Sequence, residues 1–431
     1  MKRVLIITYY WPPSGGSGVQ RWLKFAKYLP ETGWMPVIYT PENPDFDIRD
    51  ESLLKDIPQN IEVIKRPIWE PYRLAQIISG KKVNNTGLVK ESGPPSLKSR
   101  IMTWIRGNLI IPDPRVFWRR PSVRFLKQYL QAHPVDVIIT TGPPHSMHLI
   151  GRSLKRITGV PWVVDIRDPW SRLDFLDTFL VSPRNRKRYE AMEQSVLREC
   201  DAVIATSPSM RTLLMPFDAG KYTPITNGYD EADFATEQQA AATERFTIFH
   251  PGLLNELRNP LQLWEALREL CQEQTGFSND LEVYLAGTID AGIAAALTSD
   301  PVLRKNMRIE GYLSHETVLE AYRQAAVLLL LINNTDNARV NIPGKLFEYL
   351  AAGAPQLVLG DPATDAAGIV RELGAGEVCA YSDKTAIKAA VLQLYLDWKS
   401  GQHRNIHAGY ESYSRLALSR KLAGVLDKLR K

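Results

Sequence analysis

An α/β fold built from two doubly wound, Rossmann-like domains is predicted by three features of the sequence. The run Val4-Leu-Ile-Ile-Thr8 consists of strand formers without alternation, as expected of a central parallel strand covered on both faces. A Gly-rich turn, a helical repeat and a second strand follow it, the opening of a doubly wound domain. The same strand, loop, helix order returns at Phe246. At 431 residues the chain is long enough for two or three domains, each with a sizeable core.

Composition is ordinary for a globular protein, with a net charge of +6 and a pI near 9.0. A mildly basic chain favours anionic partners such as phosphorylated substrates or a lipid surface. Cys200, Cys271 and Cys379 are scattered and odd in number, which argues against a disulfide framework and against a metal-binding spacing. The first apolar run is about five residues, too short for a secretory leader, and reads as a buried strand. No apolar run approaches the ~20 residues of a membrane span. These features lead us to expect a cytoplasmic protein.

In the first domain, the loop at 12–18 (PPSGGSG) precedes Val19, Trp22, Leu23 and Ala26 at helical spacing, with a stop at Pro30 and Gly33. The glycines Gly15, Gly16 and Gly18 lack the spacing of a dinucleotide fingerprint, so a plain NAD site is disfavoured. Strands are expected at 34–40 and 61–65. Residues 71–128 are rich in Lys and Arg with interleaved Trp104, Ile105, Leu109, Ile110, Ile111, Phe117 and Trp118. Such a segment suits an anionic membrane face, at about 1 kcal/mol per basic residue near the surface. No nucleic-acid motif accompanies the charge, so nucleic acid is not expected as a partner. Strands at 135–141 and 162–166 end in polar clusters, His145 with His148 and Asp165, Arg167 with Asp168. Ligands of open α/β sheets sit at such carboxyl ends.

In the second domain the strand at 246–250, the loop at 251–260 and the helix at 261–273 repeat the opening pattern. Strands follow at 281–287 and 326–332. Residues 341–360 (NIPGKLFEYLAAGAPQLVLG) read as a helix opened by Pro343, ended by Gly353 and barred by Pro355, then a buried strand. The helix start at Gly344, with Lys345 in its first turn, favours an anion such as a diphosphate. Glu348, one turn on, can accept from a sugar hydroxyl. Phosphate cradle and hydroxyl acceptor together are what a sugar nucleotide requires. Asp45-Phe46-Asp47 lies in a Pro-rich loop of the first domain and reads as a solvated turn.

The 343–355 stretch resembles the donor-binding helix of the retaining GT-B glycosyltransferases (group 1, family 4-like), whose pattern is Pro-Ser/Gly-Lys-Leu-x-Glu-Tyr-x-Ala-x-Gly-x-Pro. The related Glu-x7-Glu form is only half present, since Val340 stands where its first glutamate would be. Residues 224–230 resemble the family's Pro-Asn-Gly-x-Asp passage between domains, with Ile225 and Thr226 inserted. TGPPHS…PWVVDIRDPW resembles a bacterial surface-polysaccharide subgroup.

The resemblance implies a GT-B fold with two Rossmann-like domains facing a cleft. The first would be the acceptor side, at 1–230, joined by a C-terminal helix at 408–431. The donor domain would be 240–407. Arg258, six residues after Gly252, would bind the donor diphosphate with Lys345 and Gly344, and Gly15, Gly16 and Gly18 would let backbone approach it. Gly311, Tyr312 and Leu313, with Glu348, would hold the nucleotide. His145 first and Asp168 second would be the catalytic residues. The implied reaction is sugar transfer from a nucleotide-diphosphate donor to a carbohydrate or lipid-linked acceptor hydroxyl in surface-polysaccharide or glycolipid synthesis. Retention is implied, and no cofactor or metal is expected, since two cations and a helix dipole can neutralise the leaving group. Two alternatives are a GT-B-fold sugar-nucleotide epimerase, which lacks a complete acid/base set here, and a membrane-docked scaffold that binds the nucleotide without turnover.

Overall fold

The structure, a computed structural model, describes residues 1–46, 49–71, 97–172, 174–234, 244–333, 335–402 and 408–430. Asp47 lies outside the described residues, as do residues 80–95, which the sequence composition marks as a loop, and most of the Ala-, Gln-, Glu- and Thr-rich stretch at 233–245, which reads as a linker or exposed helix. The chain divides into two compact units, Met1–Thr226 with Arg415–Lys431, and Asn227–Ser414.

In the first unit seven parallel strands pair in the order β3-β2-β1-β4-β5-β6-β7. They are β1 (Lys2–Ile7), β2 (Trp34–Pro41), β3 (Glu62–Arg66), β4 (Val137–Gly142), β5 (Trp162–Ile166), β6 (Ala202–Ala205) and β7 (Tyr222–Pro224). The central strands are buried along nearly their whole length, which is why the sequence shows no alternation there. Strand order reverses between β1 and β4, so the loops after these two strands open a crevice at the carboxyl edge. The Ser17–Tyr28 helix follows β1, with Gly16 before it at φ 89°, in the left-handed region that glycine tolerates. The Arg415–Leu429 helix packs into the same core through Leu418, Leu422 and Leu426, against a cluster with Trp22, Phe25 and Trp34. Trp34 Nε1 donates to Asp427 at 3.0 Å.

The second unit holds six parallel strands in the order β10-β9-β8-β11-β12-β13, again reversing at the middle, between β8 and β11. They are β8 (Phe246–Pro251), β9 (Leu281–Ala286), β10 (Met307–Glu310), β11 (Val327–Leu331), β12 (Gln356–Leu359) and β13 (Gly376–Cys379). Two apolar layers, one on each side of this sheet, form its core. Phe246, Leu263, Leu267 and Tyr395 belong to one, and Phe249, Tyr322, Phe347 and Tyr349 to the other. The Lys345–Ala352 helix ends at Gly353, whose φ of 79° closes it.

Two sequence expectations need correction. Asp165 does not belong to an open polar cluster. It is fully buried, accepts from Arg21, Trp22 Nε1 (2.8 Å) and Thr141 Oγ1 (2.8 Å), and holds the first helix to β4 and β5. The basic segment is not uniformly a surface feature either. Arg115 is buried and pairs with Glu70 at 2.8 Å beneath Tyr9. Arg106 is buried and donates to Ile110 O at 3.1 Å, and Ile111 and Trp118 lie in the interior. Within that segment the helices Leu97–Asn108 and Arg119–Ala132 form.

Removing one partner of a fully buried ion pair leaves the other charge uncompensated. We therefore expect Asp165→Ala to cost about 3–5 kcal/mol in urea unfolding of the first unit's signal. A loss below about 1 kcal/mol would show that Arg21 finds other partners.

Candidate functional site

In the second unit, the polar residues gather where β8 and β11 part. β8 ends at Pro251, and Gly252 turns away with φ 134°. Lys345, at the start of its helix, brings its ammonium onto the Pro251 carbonyl, and a Cβ at residue 252 would collide with it. Gly287, after β9, lies against the Gly252 backbone so closely that an added Cβ would stand 2.6 Å from Gly252 O. Its N–H donates to Gly311 O at 2.9 Å. Two glycines thus let three strand tips converge under one lysine.

Arg258 reaches the same edge. Its Nε donates to Asn333 Oδ1 at 2.6 Å, just beyond β11, and Tyr381 OH donates to Ile332 O at 3.0 Å beside it. His250 Nδ1 and Tyr349 OH both meet Leu329 O, at 2.9 and 3.3 Å. Burial pushes the Lys345 amine down to about 8, the Arg258 charge adds to this, and Glu348 opposes it. Burial also lowers Arg258. Two cations drawn out of water, with Arg258 near enough to disfavour the charge on Lys345, form a site that an anion relieves. Glu348 accepts from Tyr322 OH at 2.9 Å. Burial raises its carboxyl, and Tyr322, His315 and Lys345 hold it back.

Arg258, Lys345 and Glu348 are therefore brought together, and Gly344 precedes them as the helix cap. The first turn is not an open cradle, however. Leu346 and Phe347 donate to Pro343 O and Gly344 O at 3.1 and 3.2 Å, so the amides left for an anion are fewer than a free helix start offers. Gly311 caps the tip of β10, Leu313 is half-buried, and Tyr312 is 88% exposed. Asn333, Tyr381, Tyr322 and Gly287 escaped sequence reasoning. Asn333 alone carried a signal, as a polar residue at a strand tip.

Gly15, Gly16 and Gly18 lie in the other unit, after β1. Gly18 accepts Arg167 Nη1 on its carbonyl at 3.1 Å, and a Cβ there would crowd that guanidinium at 2.8 Å. Arg167 also donates to Gly142 O at 3.2 Å and to Pro143 O, tying the loops after β1, β4 and β5. His145 and His148 follow the Gly142-Pro143-Pro144 turn. Both are buried, with ring centroids 5.9 Å apart. His148 Nδ1 meets Thr140 Oγ1 at 2.9 Å, which also accepts from Trp162 Nε1 at 2.9 Å. Both His145 nitrogens and His148 Nε2 have no hydrogen-bond partner among the described residues. Gly142 makes room for them, since a Cβ would stand 2.5 Å from His148 Nε2. Burial, with Arg167 adding and Asp113 opposing, pushes His145 down to about 4, so it is neutral near pH 7. The residue stacked on His145 is Trp170, at 5.0 Å and 6°, rather than Asp168, which is exposed at the tip of β5.

Residues 100–228 match the family model described as "Glycosyl transferase 4-like domain". No curated protein sequence matches the chain. Among solved structures, a glycosyltransferase from Rickettsia africae ESF-5 is similar at 13% identity and a TM-score of 0.63, over 100% of this chain and 99% of that one. A lipopolysaccharide outer core galactosyltransferase in apo form is similar at 12% identity and TM-score 0.58, over 99% of each chain. An α,α-trehalose 6-phosphate synthase from Burkholderia multivorans is similar at 11% identity and TM-score 0.61, over 99% of this chain and 96% of that one. At these identities the likeness shows the fold, which is the GT-B glycosyltransferase fold of two Rossmann-like sheets. The family match supports a transferase enzyme of the glycosyltransferase kind.

Lys345 should be a cation below about pH 8 and a neutral amine above it. Nitrogen NMR of the labelled side chain should show a midpoint near 8, and retention of inorganic pyrophosphate should fall as pH rises through it. A midpoint near the ordinary 10.5 would contradict the burial described here.

Proposed function

We propose that this protein transfers a sugar from a nucleotide-diphosphate donor to an acceptor hydroxyl, with retention and without a metal, in the synthesis of a surface polysaccharide or glycolipid. The observation that carries the reading is the half-buried cation pair Lys345 and Arg258 at the β8/β11 reversal. In the reaction the bond from the anomeric carbon to the diphosphate oxygen breaks. A bond from that carbon to the acceptor oxygen forms, and the acceptor proton passes to the departing diphosphate oxygen. Charge grows on the diphosphate, and two preplaced cations with the nearby helix start stabilise it most when it is most charged. Glu348 takes the ribose hydroxyls, and backbone at Gly311–Leu313 reads the base.

The acceptor belongs to the first unit, at the tips of β4 and β5. Asp168 is the accessible candidate there. His145, neutral and closed off from solvent, reaches a ligand when the two-proline turn or Trp170 shifts aside. An acceptor carried on a lipid would bring the enzyme to an anionic cytoplasmic membrane face, the partner expected for residues 71–128.

One observation favours a second reading. Val340 is buried at the end of a short 3-10 turn, so no carboxylate is offered from that position to a donor sugar. A scaffold that binds a sugar nucleotide without turnover would tolerate this. Turnover separates the two. Arg258→Ala and Lys345→Ala should each lower kcat by roughly 100-fold or more with circular dichroism unchanged. Glu348→Ala should raise the donor Kd about tenfold, as expected for a lost charged hydrogen bond. Full activity in both cation variants would remove the diphosphate assignment.

A further inference from the structure

On the Leu97–Asn108 helix the apolar residues Leu97, Ile101, Trp104 and Ile105 are exposed, and Leu109 is exposed just past its end. Leu97 is 75% and Trp104 46% exposed. Steps of four, three and one residue put the four helical members on one side. Other positions hold the helix to the protein. Arg106 covers the Phe179 ring at 4.7 Å, an added Cβ at Gly107 would meet Phe179 O at once, and Asn108 Nδ2 donates to Leu180 O at 3.0 Å. The helix is thus anchored by its far side and C-terminal end and presents an apolar stripe outward. A contiguous exposed apolar stripe of this kind suits an interaction surface.

Charge identifies the partner. The helix contains no acid. Across residues 97–133 the one acid, Asp113, is buried, whereas Arg100, Arg120, Arg124 and Lys127 are exposed. The excess extends to the whole unit. Met1–Thr226 with Arg415–Lys431 carries 39 Lys and Arg against 22 Asp and Glu, a net +17, while Asn227–Ser414 carries 14 against 25, a net −11. The modest +6 of the chain conceals this split. A surface that is both apolar and basic fits an interface with an apolar interior and an anionic skin. A second copy fits poorly, because two units of +17 repel.

We propose that the Leu97–Asn108 helix lies in the plane of an anionic lipid surface, with Leu97, Ile101, Trp104, Ile105 and Leu109 in the acyl boundary and Arg100 at the headgroup phosphates. At 12 residues it is far too short to cross, and no described helix is long and apolar enough to do so. The surface seats the first unit on a membrane. It deepens the membrane part of the proposed function, and lipid binding tests it separately from sugar transfer.

The full-length protein should sediment at low salt with phosphatidylglycerol-containing vesicles and not with pure phosphatidylcholine vesicles, and high salt should release most of it. The variant Ile101→Ser with Trp104→Ser should bind the anionic vesicles at least about tenfold more weakly, with unchanged melting temperature and circular dichroism. Because both side chains are exposed, the fold should tolerate the change. No binding of the native protein at low salt would overturn the proposal. So would equal binding by the double variant, which would reduce the contact to charge alone. A native dimer that the double variant loses, without vesicle binding, would assign the stripe to a second copy and overturn it as well.

Discussion

The contact of Lys345 with the end of β8 is the constraint around which the second unit's site is arranged. The ammonium sits where a side chain at residue 252 would be, so a larger residue there would displace it. The φ of 134° there is what requires glycine at residue 252. Gly287 must then be glycine too, because its backbone lies on Gly252. Once those positions are bare, the tips of β8, β9 and β10 come close enough for one lysine and one arginine to share an edge. Among the described residues, neither cation has a carboxylate at hydrogen-bonding distance. Arg258 donates to an amide oxygen and Lys345 to a carbonyl. Neutral acceptors satisfy the geometry of a cation and leave its charge available for an anion.

The first unit shows the opposite treatment of charge. Arg21 and Asp165 are fully buried and compensate each other, with Trp22 and Thr141 completing the carboxylate. Arg115 and Glu70 repeat the arrangement under Tyr9. These pairs lock helix and loop to the sheet and offer nothing to a ligand. Among the described residues, three imidazole nitrogens of His145 and His148 after β4 have no hydrogen-bond partner, in a neutral, aromatic setting.

Much of this was legible in the sequence where one physical rule acts locally. Continuous apolar runs marked β1, β5 and β11 because parallel strands are buried on both faces. Gly353 and Pro355 marked the end of the Lys345 helix through backbone geometry alone. Short strands such as β13 and β7 were missed, since three or four residues carry too little pattern to outweigh their neighbours. The status of a charged residue was the least legible feature. Asp165, Arg167 and Asp168 stand within four positions and read alike, yet one is a buried strut, one ties three loops and one is exposed. Arg115 and Arg120 likewise read as one basic segment, although Glu70, distant in sequence, draws only the first inside. Partners far along the chain decide such cases. The +17 and −11 of the two units were equally hidden until the unit boundaries were known.

We propose that the β8/β11 edge of the second unit holds the diphosphate of a nucleotide. The most direct test is a thermal-shift panel of UDP, GDP, ADP, dTDP and CDP, each with and without a divalent metal, on the native protein and on Lys345→Ala. One nucleotide should stabilise the native protein without metal, by an amount that grows with concentration as linkage requires, and the variant should lose most of the shift. No shift with any of the five, or an equal shift in the variant, would contradict it.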